Sequence, residues 1–137
     1  MNSNKIIYMG IDAPRIHQEI ITKLVYGVTS FYKNGETMLF PYPETMIDES
    51  ETSPVPDVML VNRENDLAEV IIEITHTQGF KKDIQKIREL MEEYNVPEGF
   101  VYDYKLKIWQ SIASTPKNAP QSFCEALQYD LNNFLID

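Results

Sequence analysis

Cysteine is nearly absent. Cys124 is the only one in 137 residues, so no disulfide can close within one chain and no thiolate cluster can hold a metal. Basic residues are also scarce: 12 Lys and Arg stand against 21 Asp and Glu, a net charge of -9. That balance excludes unspecific coating of nucleic acid or anionic membrane, yet leaves room for a local cationic site where a phosphate would sit. No run of about 18 apolar residues occurs, and residues 1–10 hold too short an apolar stretch for a signal peptide. Internal repeats and low-complexity tracts are missing as well. These absences predict a cytoplasmic protein in a reducing compartment, with no membrane partner.

What is present suits a folded unit. Hydrophobic residues make up 43% of the chain and charged residues 24%, too apolar for disorder, and a chain of this length supports one core. We expect one domain over residues 1–137. A first helix is predicted from near Pro14 to about Tyr32, with Ile16, Ile20, Ile21, Leu24, Val25, Val28 and Phe31 on one arc. His17 falls inside that arc and Glu19 points away. As a core histidine bonded to backbone, His17 needs no functional role.

Asn34-Gly35 marks a turn, and Thr37 to Phe40 predicts a short strand ended by Pro41 and Pro43. Glu44, Asp48, Glu49 and Glu51 follow in a segment with little periodicity, read as a solvated loop. Two apolar segments then each carry one acid. Val55-Pro56-Asp57-Val58-Met59-Leu60-Val61 and Val70-Ile71-Ile72-Glu73-Ile74-Thr75 read as buried antiparallel strands of one hairpin, joined by a polar turn over 62–66. Period-2 geometry places Ile71, Glu73 and Thr75 on one face and Val70, Ile72 and Ile74 on the other, while Asp57 shares its face with Val55, Met59 and Val61.

A buried, unpaired carboxylate is costly. If the two converge at about 4 Å they repel by about 4 kcal/mol at the effective dielectric of a protein surface, so a divalent cation or a lysine is the natural remedy. Strand-end capping is the plainer role for both acids.

After a loop over 76–79, a second helix is predicted for 80–94, with Phe80, Ile84, Ile87, Leu90, Met91 and Tyr94 on one side. Asp83 lies within that arc and Lys86 at its flank. As a helix ion pair they contribute a few tenths of a kcal/mol. Pro97 ends the helix; Phe100 to Tyr104 and Leu106 to Trp109 then add two strands, for a sheet of about five. Ser122 and Glu125 have capping-box spacing, which predicts a final helix closing the core with Phe123, Leu127, Leu131 and Phe134.

The order helix, three strands, helix, strand, with an acid in the second and third strands, resembles the PD-(D/E)XK, restriction-endonuclease-like superfamily. Within it the chain is similar to the Uma-type endonucleases of bacteria. The resemblance rests on the Pro14 to His17-Gln18 helix start, Pro56-Asp57-Val58, Val70 to Ile74, Asp83 with Lys86, Tyr94, Val96-Pro97-Glu98 and Val101-Tyr102-Asp103, so it spans residues 13–104. It implies an α+β fold, a mixed sheet flanked by helices, and a Mg²⁺-dependent endonuclease, with Mn²⁺ as substitute. The metal ligands it implies are Asp57, Glu73 and the carbonyl of Ile74.

Where the superfamily places a lysine two residues after the glutamate, this chain has Thr75. Uma-type sequences similarly carry the lysine on the following helix, which makes Lys86 the catalytic candidate and Lys82 its substitute. On the first helix, many members place a glutamate where His17 falls here, so His17 is a further catalytic candidate for orienting water or phosphate. The implied partner is nucleic acid, foremost DNA, and cutting both strands of a duplex suggests a homodimer. A catalytically inactive nuclease-fold binding module is the alternative, and small-molecule binding in an apolar pocket has little support beyond tyrosines and methionines that suit a core.

Overall fold

A computed structural model describes residues 14–50, 54–112 and 118–137. Residues 1–10 and Glu51, on which expectations were stated above, lie outside these. Helix α1 spans Arg15–Lys33 and opens at Pro14, where the missing N–H costs nothing and the fixed φ suits a helix start. Strand β1 (Leu39–Pro43) pairs antiparallel with β2 (Val58–Asn62), which pairs antiparallel with β3 (Leu67–Thr75). A short 3-10 turn, Thr77–Gly79, leads into α2 (Phe80–Tyr94). The chain returns as β4 (Glu98–Asp103), parallel to β3, and β5 (Ile108–Ser111) closes the sheet antiparallel to β4.

The result is a mixed five-stranded sheet in the order β1-β2-β3-β4-β5. Alternation along the strands divides the core. On one face Val58, Leu60, Val70, Ile72, Ile74, Phe100 and Tyr102 meet Ile20, Ile21, Leu24 and Val28 of α1. On the other, Met59, Val61, Ile71 and Val101 meet Ile87 and Leu90 of α2, with Phe80, Ile84, Met91 and Tyr94 partly buried beside them. The predicted α2 arc is thus the arc that packs, whereas Ile16, expected on the buried side of α1, is 42% exposed.

Two further expectations fail. Pro41 does not end β1 but lies within it, and the strand runs on to Pro43, its last residue, because β1 is an edge strand with one side free of ladder bonds. The final helix is absent among the described residues: β6 (Phe123–Cys124) and β7 (Tyr129–Asp130) form a small hairpin, followed by a 3-10 turn at Leu131–Leu135. The carboxylate of Glu98 accepts the N–H groups of Glu125 and Ala126, each at 2.8 Å, so donors of the would-be first turn are satisfied from β4 instead. Leu127, Leu131 and Phe134 still close the α1 side of the core.

Gly27 on α1 lies directly under the Phe134 ring, and a Cβ there would come within 2.6 Å of Cε1. Although alanine is the better helix former by about 1 kcal/mol, overpacking costs about 1–3 kcal/mol. Gly27→Ala is therefore expected to lower the unfolding free energy in urea. Equal or greater stability would show that Phe134 moves aside freely.

Candidate active site

Register decides where the acids meet. The last β2–β3 pair at this end is Val58 with Ile72, so past it the two strands part and their backbone groups need other partners. The carboxylates supply them. Asp57 Oδ2 accepts the Ile74 N–H at 2.7 Å, and Glu73 Oε1 accepts the Asp57 N–H at 3.1 Å. Each acid thus caps the other's strand, and both are buried, at 9% and 6% exposure.

Two cationic heads converge on the pair. Lys86, one turn into α2, places Nζ 2.7 Å from Glu73 Oε2, while His17 near the start of α1 places Nε2 3.2 Å from Asp57 Oδ2. The other ring nitrogen of His17 lies 3.0 Å from Gln18 Oε1, which orients the imidazole. A pair with Asp83 inside the helix was the plainer role for Lys86, but the ammonium reaches across to the buried carboxylate of β3, as its catalytic candidacy requires. Its reason is electrostatic: a desolvated charge attracts a counterion more strongly than an exposed one does. Lys82 is exposed on α2.

The electrostatics follow from this packing. Burial pushes the Glu73 carboxyl up to about 7, aided by the nearby Asp57 charge and opposed by Lys86. The hydrogen bond to Asp57 raises His17 to about 9 against the lowering effect of burial. Both groups hold their protons more tightly folded than unfolded, so linkage gives one sign for both. Glu73 makes stability fall as the pH rises from about 4.5 to about 7, and His17 makes it fall from about 6.5 to about 9. Melting in EDTA is accordingly expected at a lower temperature at pH 9 than at pH 5.5, and a flat or rising profile would contradict the arrangement.

The donor set suits a hard divalent cation. The hydrogen bonds from His17 and Ile74 both fall on Asp57 Oδ2, and Oδ1 has no hydrogen-bond partner among the described residues. The N–H of Ile74 points to the Asp57 side, and in a strand the carbonyl of the same residue points the same way; Thr75, one residue on, turns its carbonyl to β4 and accepts the Tyr104 N–H at 2.9 Å. Oxygen from Asp57, Glu73 and the Ile74 carbonyl therefore faces one gap between parting strands. Among the described residues no group of three or more His, Cys, Asp and Glu side chains forms a metal cage, so a cation here would keep several water ligands, as magnesium does.

Position 75, where a lysine was missing, is closed off. Thr75 is 3% exposed, and its Oγ1 lies 2.8 Å from where a Cβ on Gly79 would stand. Glycine at 79 lets the 3-10 turn lie against that hydroxyl, and α2 then starts close enough for Lys86 to reach Glu73. Gln18 and Asp103 belong to the same end of the fold and were not singled out from sequence for any role of their own. The signals available were the neighbour of His17 and a third acid ending an apolar strand.

A cavity of about 1050 Å³ lies elsewhere, near the start of β3, against Tyr42, Met59, Val61 and Tyr94. No helix among the described residues is long and apolar enough to cross a membrane.

No protein-family profile matches the chain, and no curated protein matches it. Among solved structures it is similar to the type IIG restriction endonuclease BpuSI, with a TM-score of 0.52 and 12% identity. The match covers 88% of this chain and 16% of that one, so this chain corresponds to a small part of that protein. At this identity the likeness establishes the architecture, and the mixed five-stranded sheet between two helices is a restriction-endonuclease-like α+β fold.

Proposed function

We propose that this chain is a magnesium-dependent endonuclease hydrolysing phosphodiester bonds of nucleic acid, of the Uma type that its motifs resemble. The observation that carries this reading is the meeting of Asp57, Glu73 and Lys86 where β2 and β3 part, with Lys86 Nζ 2.7 Å from Glu73. The similarity to a restriction endonuclease supports the same class.

Asp57, Glu73 and the carbonyl of Ile74 would hold the cation. When bound, magnesium supplies Lewis acidity and a lowered pKa for water at neutral pH. The chain's own groups do the rest. Lys86, with its side chain 26% exposed, can present its ammonium to a phosphate oxygen while still touching Glu73, offsetting charge that develops in the transition state. His17, protonated near neutrality, holds Asp57 in place through Nε2 and can donate a proton to a departing oxygen on the same side. DNA is the first substrate to test, and a pair of copies is required only if both strands of a duplex are cut at once.

A second reading is favoured by the site itself. Two carboxylates faced by Lys86 and a protonated His17 balance without a metal, and the acids already serve as strand caps. A nuclease fold retained as a binding module needs nothing more. Crystals soaked in Mn²⁺ separate the two: anomalous density between Asp57 and Glu73 supports the hydrolase, and a well-ordered site without density at millimolar Mn²⁺ supports the module.

A further inference from the structure

A second polar feature lies on the same face of the sheet. Asp103 ends β4, paired in register with Thr75, two residues along β3 from Glu73, or about 7 Å. It is 2% exposed, more buried than either acid of the candidate active site. Its Oδ1 accepts the N–H groups of Lys105 and Leu106 at 2.9 and 3.2 Å, while Oδ2 has no partner among the described residues. Asp103 lines a cavity of about 310 Å³, formed between the start of α2 and the β4–β5 turn. Phe80 gives this notch an aromatic wall, Leu106 and Ile108 give it apolar ones at 58% and 48% exposure, and Lys81 stands at its rim.

A carboxylate oxygen that no protein group engages, on a residue this little exposed, is free to accept from a donor entering the cavity. Apolar and aromatic walls call for a flat apolar body, and a lysine at the rim for an anion. An unpaired nucleobase with its phosphate meets all three demands. We infer that this notch holds an unpaired base adjoining the scissile phosphate, a base that donates hydrogen bonds from its edge, guanine best of all. Guanine offers N1–H and N2–H side by side, whereas uracil and thymine flank their single donor with acceptors that the carboxylate repels. The substrate class this implies is a single-stranded or locally unpaired segment. A chain of net charge -9 has little to gain from the counterion release that holds duplex binders. The inference rests on the nuclease reading for its placement beside a scissile phosphate.

Guanosine and uridine 5′-monophosphates, titrated in EDTA into protein with labelled methyl groups, test it. Guanosine monophosphate is expected to shift the Leu106 and Ile108 methyl signals at about tenfold lower concentration than the uridine nucleotide. Asp103→Asn keeps the acceptor for the turn N–H groups and puts an amide donor where Oδ2 was, so it is expected to reverse that preference. Leu106→Asp, at an exposed position, is expected to abolish the response to both. Equal response to the two nucleotides, no response, or an unchanged preference in Asp103→Asn overturns the inference. Mn²⁺ relaxation of signals near Asp57, measured on the same labelled protein freed of EDTA, keeps the readings apart: Mn²⁺ binding without a nucleotide response removes the base notch alone, and a nucleotide response without Mn²⁺ binding removes the nuclease reading and its scissile phosphate while leaving the base site.

Discussion

Glu73→Gln and Asp57→Asn are expected to abolish cleavage, by about a thousandfold or more, and to eliminate Mn²⁺ binding while leaving the protein folded. The amide oxygen in each variant can still accept the backbone N–H that the carboxylate now accepts, from Asp57 or from Ile74. What disappears is the charge. Because burial and the neighbouring Asp57 push Glu73 up to about 7, removing its charge also relieves a cost, so the metal-free Gln variant is expected to melt no lower than the parent at pH 8 and above. The alanine variants should behave differently. Asp57→Ala leaves the buried N–H of Ile74 unsatisfied, which costs about 1–3 kcal/mol. Loss of function with retained stability in the amides, against loss of both in alanine, separates a metal ligand from a strand cap. Calorimetry with Mn²⁺ and thermal melts read the two quantities, and an amide variant that still binds Mn²⁺ as the parent does would remove the metal site.

Lys86→Met is expected to lower cleavage by about 10²–10³-fold, the scale of one preorganised charge facing a reacting group, whereas Lys82→Met should change it little. The methionine stem preserves the packing of α2 and removes only the ammonium 2.7 Å from Glu73. Leaving a buried charge without its counterion costs about 3–5 kcal/mol when that charge cannot adapt. Glu73 can adapt by taking up a proton. Without Lys86, the group that lowers its pKa, its carboxyl rises further, so the stability loss should be small near pH 6 and grow towards pH 9. Thr75→Lys, which recreates the commoner position of the lysine, is not expected to rescue the variant, since the side chain at 75 is buried against Gly79. Full rescue would mean that this pocket opens readily and that the lysine's place on α2 carries no steric cause.

Much of the fold was legible because its signals are local. The arcs of α1 and α2 follow from a 3.6-residue period, and α2 spans Phe80–Tyr94 as expected. The opposite faces of Ile72 and Glu73 follow from a period of two. Where the expectations failed, a distant group had taken over a local donor. Ser122 and Glu125 carry helix-start chemistry, yet Glu98 on β4 accepts the very N–H groups that a helix start would leave free. Pro41 reads as a strand breaker until β1 is known to be an edge.

Spacing and residue type alone determined that two acids lie in apolar strands, that His17 falls inside the apolar arc of one helix and Lys86 at the flank of the other, and that those charges need compensation. Tertiary structure alone decided who compensates whom. The strand register ends at Val58 and Ile72, so the freed backbone N–H groups and the carboxylates pair crosswise, Lys86 turns from Asp83 to Glu73, and His17 meets a residue forty positions away. Desolvation sets these choices: partners are chosen by burial and reach, and neither quantity exists until the sheet and its two helices are packed.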